Sequence, residues 1–245
     1  MSRLRITIGK SSKLLYGVWF LGNEELPLKI ARGGWSHILV GVVVAGLGVF
    51  SLRHNLLVAG SLLLVAGLAI VAFMVYFFRD PERQAPAEPG VIVSGADGWV
   101  RSVEHIPEAR YLKRDTLRIS TYLTPWDVHV NRVPMAGQVV KLDYTPGQHI
   151  LTRNPKSSEV NEHSTIIIQG KDTVCMVRQI VGPLVRRVKY WLTDNQSVAQ
   201  ADRLGIMKFG SRLDIYLPVE AVEPTVKPGD RVFAGTTIIA RLKKG

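Results

Sequence analysis

Two uncharged apolar runs, residues 35–52 and 56–78, limit this chain more than any other part of it. They hold 18 and 23 residues, and only Arg53-His54-Asn55 lies between them. As helices rising about 1.5 Å per residue they would reach roughly 27 and 35 Å, against a bilayer hydrocarbon core of about 30 Å. The short break makes a tight helical hairpin. Gly41, Gly46 and Gly48, with Gly60 and Gly67 opposite, leave room for close helix contact. A shallow re-entrant hairpin and a buried pair in a soluble protein are the alternatives.

The surroundings favour a membrane. Residues 1–34 carry Arg3, Arg5, Lys10, Lys13, Lys29 and Arg32 against Glu24 and Glu25 only, and Arg79 and Arg83 follow the second run. No short apolar core with a small-residue cleavage site is read, so no removable signal peptide is expected. Trp19, Phe20, Leu21 and Trp35 suit the headgroup level, where amphipathic rings settle. The positive-inside rule puts both termini in the cytoplasm, with the main globular part attached to the cytoplasmic face of the cell membrane. The net charge of +11 calls for an anionic partner, either acidic lipid or nucleic acid. Basic residues are spread along the chain without a nucleic-acid-binding motif, which disfavours the second. The single cysteine, Cys175, excludes an internal disulfide and reads as a buried small residue.

The expected organisation is a basic interfacial segment (1–34), a two-helix membrane hairpin (35–79), an extended linker (80–89) and a β-rich domain (90–245). Asp80-Pro81 stops the second helix, and Pro86 and Pro89 keep the linker extended. Beyond it, short β-rich runs at 90–93, 99–103, 117–123, 138–142 and 164–168 alternate with Gly, Pro and Asp turns. That spacing predicts a mainly β fold, a compact sandwich or barrel. Residues 176–189 are expected to form a helical insertion, with Arg178, Arg186 and Arg187 beside apolar positions. Residues 218–242 read like the closing hairpins of biotinyl and lipoyl carrier domains.

Chemistry concentrates in a few strings. G-I-M-K-F-G-S-R-L-D-I-Y-L-P at 205–218 reads as two strands around a break at Gly210-Ser211. Glycine leaves its carbonyl carbon unshielded and accepts unusual backbone angles. A serine hydroxyl beside that carbonyl can attack the preceding peptide bond once a base removes its proton. Gly-Ser is also an ordinary turn signal. V-S-G-A-D-G at 93–98 presents Asp97, which would serve equally as a hairpin cap. L-T-P-W-D-V-H-V-N-R-V-P at 123–134 presents His129, N-P-K-S-S-E-V-N-E-H at 154–163 reads as a polar loop, and V-R-Q-I-V-G at 177–182 carries Arg178. No metal site is read.

Taken together, these strings and F-F-R-D-P-E-R at 77–83 resemble phosphatidylserine decarboxylase proenzymes of the short bacterial and archaeal type. The matching patterns are P-x-D-V-H-V-N-R-x-P, K-x-S-x-x-N-E, R-Q-I-x-G and the F-G-S-R processing site. Gly95 departs from the family's S-P-A/V-D-G element. Arg132 stands where long-form members carry a second histidine, and His149 and His163 are the remaining candidate helpers. The resemblance implies self-cleavage between Gly210 and Ser211 into a β chain (1–210) and an α chain (211–245), which stay associated. It implies that Ser211 becomes a pyruvoyl group, the cofactor that forms a Schiff base with the substrate amine. His129 is implied as base and proton donor, and Asp97 as its orienting partner. Arg178, Asn161 and Glu162 are implied at the substrate. The substrate would be phosphatidylserine and the product phosphatidylethanolamine, placing the chain in phospholipid biosynthesis. A homo-oligomer is compatible with this. Two rival classes are a biotinyl or lipoyl carrier modified on Lys208, since M-K-F is one residue from a carrier's M-K-M, and a non-catalytic membrane protein that binds anionic lipid.

Overall fold

Both apolar runs are helices in the computed structural model, α1 (Trp35–Arg53) and α2 (Leu57–Phe77). The structure describes residues 29–154, 156–183, 188–208 and 210–243. The readings placed on residues 1–28, Arg186 and Arg187 lie outside these. Between the helices Asn55 takes a left-handed backbone, φ 61°, which its short amide side chain tolerates. Four of the five expected glycines form the seam. A Cβ on Gly48 would overlap the Leu64 backbone, one on Gly67 the Ala45 backbone, one on Gly60 the Leu52 backbone, and one on Gly41 Ile70 and Val71. Gly46 instead faces open space, so it has no part in helix contact.

Each helix is long and apolar enough to cross a membrane by length and composition. Little of either is covered by protein: Val58 is 77% exposed and Leu62 and Val65 are each 67% exposed. A core helix of a water-soluble protein would bury such a surface.

The rest of the chain is β (37% strand against 21% helix overall). Its elements are β1 (Val91–Val93), β2 (Gly98–Glu108), β3 (Arg114–Tyr122), β4 (Val130–Arg132), β5 (Gly137–Thr145), the single-turn α3 (Ser157–Val160), β6 (His163–Gln169) and β7 (Val174–Ile180). There follow β8 (Lys189–Tyr190), β9 (Ser197–Val198), β10 (Arg203–Ile206), β11 (Arg212–Pro218), β12 (Val222–Pro224), β13 (Arg231–Val232) and β14 (Ile238–Leu242). An eight-stranded sheet in the order β13-β2-β3-β11-β7-β6-β5-β9 curls into a half-barrel. Two three-stranded sheets, β1-β14-β12 and β4-β10-β8, complete it. All of these strand pairs are antiparallel. Leu117, Ile119, Ile166, Ile168, Val177, Leu213 and Ile215 pack within one apolar core. Cys175 is buried there, and loss of solvation pushes its thiol up to about 12, leaving it inert.

Among the described residues of 176–189 the expected helical insertion is not formed. Its first part belongs to β7, which pairs with β11 on one side and β6 on the other. A central strand covered on both faces loses the alternation that marks a half-exposed one, and V-C-M-V-R-Q-I then reads ambiguously. In the last stretch, β12 pairs with β14 while β13 is spliced onto β2 between them.

The hairpin docks through its exit. Phe77 and Phe78 are wholly buried, packed with Ala31, Val128, Val130 and Ile206. Just beyond, the Asp80 carboxylate accepts from Arg132 Nη2 at 2.8 Å and Arg203 Nε at 2.6 Å. These arginines face each other across β4 and β10, a like-charge pairing that the bridging carboxylate makes tolerable.

A Gly48→Leu substitution should lower stability in detergent micelles by about 1–3 kcal/mol, because overpacking must splay the helices. Gly46→Leu should change it by less than about 0.5 kcal/mol. Thermal unfolding of the two variants checks this; equal effects would place the seam elsewhere.

Candidate active site

The break at Gly210-Ser211 leads directly into β11, whose seven residues are all buried. Gly210 has φ +71° and nothing within reach of an added Cβ. Glycine is therefore required here by backbone conformation rather than by space. Ser211 is fully buried, its Oγ donates to the Lys208 carbonyl at 3.1 Å, and its own carbonyl accepts from Leu123 N–H at 3.1 Å. The Gly210 carbonyl accepts from the Thr152 hydroxyl at 2.8 Å.

His129 stands next to this turn in the fold. Its carbonyl accepts from Met207 N–H at 3.2 Å, at the end of the β4–β10 ladder. Its ring stacks on Phe77 with centroids 4.1 Å apart. Nδ1 lies 2.8 Å from the Asp127 carbonyl. A carbonyl only accepts, so Nδ1 carries the hydrogen and Nε2 carries the lone pair of a neutral ring. Burial pushes the imidazole down to about 4, with the Asp127 carbonyl and charge opposing it weakly. At neutral pH the ring is uncharged, with its one proton on Nδ1 and none on Nε2.

Asp97 occupies a different niche. Its carboxylate accepts from Arg83 Nη2 at 3.1 Å and from Ala234 N–H at 2.7 Å. Complete burial raises the carboxyl above its ordinary range, against the pull of Arg83. The group on Nδ1 of His129 is thus the Asp127 carbonyl. Asp127 is itself held, its carboxylate taking the Thr124 N–H and hydroxyl at 2.6 and 2.8 Å and pairing with Arg231.

Arg132 is occupied as a strut. Besides Asp80 it donates to the Pro81 carbonyl at 2.6 Å and the Ala201 carbonyl at 3.2 Å. A guanidinium so committed takes no proton from anything. Asn131 Oδ1 accepts from Gln179 Nε2 at 2.8 Å, and Gln179 Oε1 accepts from the Ser164 hydroxyl at 2.9 Å. This joins the strings around His129 and Arg178 through their neighbours.

The 154–163 loop borders the turn. Asn161 spends its amide on backbone: Nδ2 donates to the Ile150 and Val181 carbonyls, each at 2.8 Å, and Oδ1 accepts from Ile150 N–H at 3.1 Å. Glu162 lies 3.0 Å from His149 Nε2. His163 turns its Nδ1 to the Asn161 carbonyl at 2.7 Å, and burial lowers its pKa. Arg178 reaches the Ser158 carbonyl at 3.3 Å and lies over Tyr216, lining a cleft with Arg110, Arg118 and His163. Lys208 is tucked against the helical hairpin, 3.4 Å from His37 Nε2 and over Phe78. A carrier lysine needs an exposed tip, so this placement argues against the carrier reading.

Comparison with known proteins agrees with this assembly. The phosphatidylserine decarboxylase family model matches residues 70–240. The chain belongs to the phosphatidylserine decarboxylase family. It is similar to phosphatidylserine decarboxylase proenzymes from Symbiobacterium thermophilum (39% identical, 87% of this chain and 95% of that one) and Carboxydothermus hydrogenoformans (36%, 89% and 98%). One from Salinibacter ruber is 42% identical over 74% of this chain and 79% of its own length. This decarboxylase is therefore an enzyme of a proenzyme family, and the anionic-lipid binder without catalysis falls away.

Sequence reasoning missed Thr152, the partner of the Gly210 carbonyl. Residues 150–154 carry no pattern that marks it, and only the folded loop brings it there. It also read Asp80 as a helix stop alone; the double arginine clamp pairs residues 52 and 123 positions apart.

The depressed His129 pKa fixes a pH dependence. An unfolded histidine protonates near 6.5 and the folded one near 4, so between these values the unfolded chain binds more protons. Stability should fall as pH drops from about 6.5 to about 4, by up to about 3 kcal/mol from this group. His129→Gln should flatten that part of the curve. Denaturant titrations of both proteins at pH 7.5, 5.5 and 4.5 check this, and parallel curves would refute it.

Proposed function

We propose that this chain cleaves itself between Gly210 and Ser211 and then decarboxylates phosphatidylserine to phosphatidylethanolamine at the membrane surface. The single observation that supports the first step is the buried Ser211 hydroxyl after a glycine of left-handed backbone, four residues beyond Met207, whose N–H is bound by the carbonyl of neutral His129. His129 accepts the Ser211 proton through Nε2, Oγ attacks the Gly210 carbonyl carbon, and the amide becomes an ester. Loss of the Ser211 Cα proton then releases the Gly210 carboxylate. Hydrolysis of the resulting dehydroalanine expels ammonia and leaves a pyruvoyl group at residue 211. Asp97, locked onto Arg83 and Ala234 N–H, fixes the 93–98 turn beneath Arg132, whose N–H donates to the Gly95 carbonyl at 2.9 Å.

The pyruvoyl carbonyl supplies an electron sink for loss of carbon dioxide from the serine head group. Ser211 fits that role, being fixed by β11 and sheltered from bulk water. His129 takes a proton from the substrate ammonium through Nε2 and delivers it to the carbon that has lost carbon dioxide. Arg178, in a cleft with Arg110 and Arg118, is the candidate partner of the anionic head group, while Asn161 and Glu162 act by holding the loop.

The helical hairpin delivers the site to its substrate. Tyr76 Oη and Arg79 Nη2 both donate to the Trp126 carbonyl, at 3.1 and 2.8 Å, and the Trp126 ring is 64% exposed beside them. We place α1 and α2 across the bilayer, both termini and the β domain on the cytoplasmic side. An anionic lipid then stays in its leaflet and meets a basic surface, each nearby Lys or Arg adding about 1 kcal/mol of attraction.

Ser211→Ala should remain one uncut polypeptide without decarboxylase activity, whereas the native chain should give fragments of residues 1–210 and 211–245. Intact-mass analysis and a phosphatidylethanolamine assay on membranes check this. Normal activity in the alanine variant would rule out the mechanism.

A further inference from the structure

In the self-cleavage proposed above, the Gly210 carbonyl oxygen is the atom that gains charge. Attack forms the bond from Ser211 Oγ to the carbonyl carbon and moves an electron pair onto that oxygen, while the Oγ proton goes to the base. Collapse returns the pair, breaks the C–N bond, and gives the nitrogen the proton. The step is an isomerisation, with no oxidation and no second reactant. Its barrier depends on what faces the oxygen when it is charged.

Two features converge on that oxygen. The Thr152 hydroxyl already donates to it at 2.8 Å. Gly182 lies so close that an added Cβ would overlap the oxygen itself, so any larger residue there would push the carbonyl aside. We infer that Thr152 is a catalytic residue of the cleavage, its hydroxyl stabilising the oxyanion, with Gly182 keeping the space that lets the two meet. This rests on the self-cleavage reading. A hydrogen bond to a charged oxygen is shorter and roughly twice as strong as one to a neutral carbonyl, so the contact favours the transition state over the ground state.

The surroundings hold Thr152 to this task. Its carbonyl accepts from the Ser157 hydroxyl and from Arg212 Nη1, each at 3.3 Å. Arg212 follows the reacting serine directly and is fixed by Asp214, 3.0 Å away, whose carboxylate also takes the Ser158 hydroxyl at 2.8 Å. Asn161 binds Ile150 on one side of Thr152 and Val181 beside Gly182 on the other. One buried amide thereby sets both walls around the oxygen. A mere loop tie would need no such alignment on the carbonyl that reacts.

The test is the rate at which full-length chain, made by cell-free synthesis into lipid nanodiscs, splits into its two fragments by intact mass. Thr152→Val should be slowed about a hundredfold, the usual cost of removing one oxyanion donor. Thr152→Ser, which restores the hydroxyl, should stay within a few-fold of the native rate. A valine variant that splits at the native rate, or a folded serine variant as slow as valine, overturns the inference. Should valine prevent folding, Thr152→Cys replaces it: a thiol is a weak donor of similar size, so cysteine cutting as fast as serine also overturns it. Native chain that never splits sinks the self-cleavage reading itself, a result distinct from either of these.

Discussion

β11 is the strand on which the remaining structure depends. It is hydrogen-bonded along its length to β3 from Arg212 to Pro218, and to β7 from Arg212 to Tyr216. Every residue in it is buried. Ser211 directly precedes it, so the proposed chemistry sits at the end of a strand paired on both edges. That position answers a physical demand. If the chain is cut before residue 211, the 35-residue remainder is too short to hold a core by itself. Ladders on both edges of β11, with β13 at the end of the same sheet and β12 and β14 woven into another, keep it in place without a covalent link.

A second constraint joins the apolar helices to the reactive turn. Phe77, the last residue of α2, is stacked on the His129 ring, and three residues later Asp80 clamps arginines from β4 and β10. Breaking a buried pair of this kind leaves an uncompensated charge, at a cost of about 3–5 kcal/mol. The helix exit, the histidine and the strand that precedes the reactive turn are consequently fixed relative to one another. Burial by Phe77 is also among the causes that keep His129 neutral, which ties the hairpin's docking to the histidine's capacity to take a proton.

Buried polar side chains in this site are used mainly against backbone. Asn161, Asp97 and Arg132 each hold main-chain groups from distant segments, and Asp127 holds the Thr124 N–H three residues before it. In a β structure with short strands and long connections, such side chains supply the hydrogen bonds that the loops cannot make with each other. The motifs around the reactive turn thus combine chemistry with the fastening of the loops that surround it.

Much of this was legible in the residues alone. Uncharged length determined the two helices, since nothing else satisfies an apolar run of that size. Alternation and turn residues marked β2, β3, β5 and β6, and the G-S turn with D-V-H-V-N-R marked the proposed reactive centre. β7 was misread because a strand buried on both faces has no period to detect. Tertiary structure alone decided who faces whom: that the Asp127 carbonyl, and not a carboxylate, meets His129 Nδ1; that Arg132 serves Asp80; and that Thr152 meets the carbonyl of Gly210. Those contacts span 2 to 58 positions in the chain, and their partners are chosen by strand register and loop closure, which local composition does not encode.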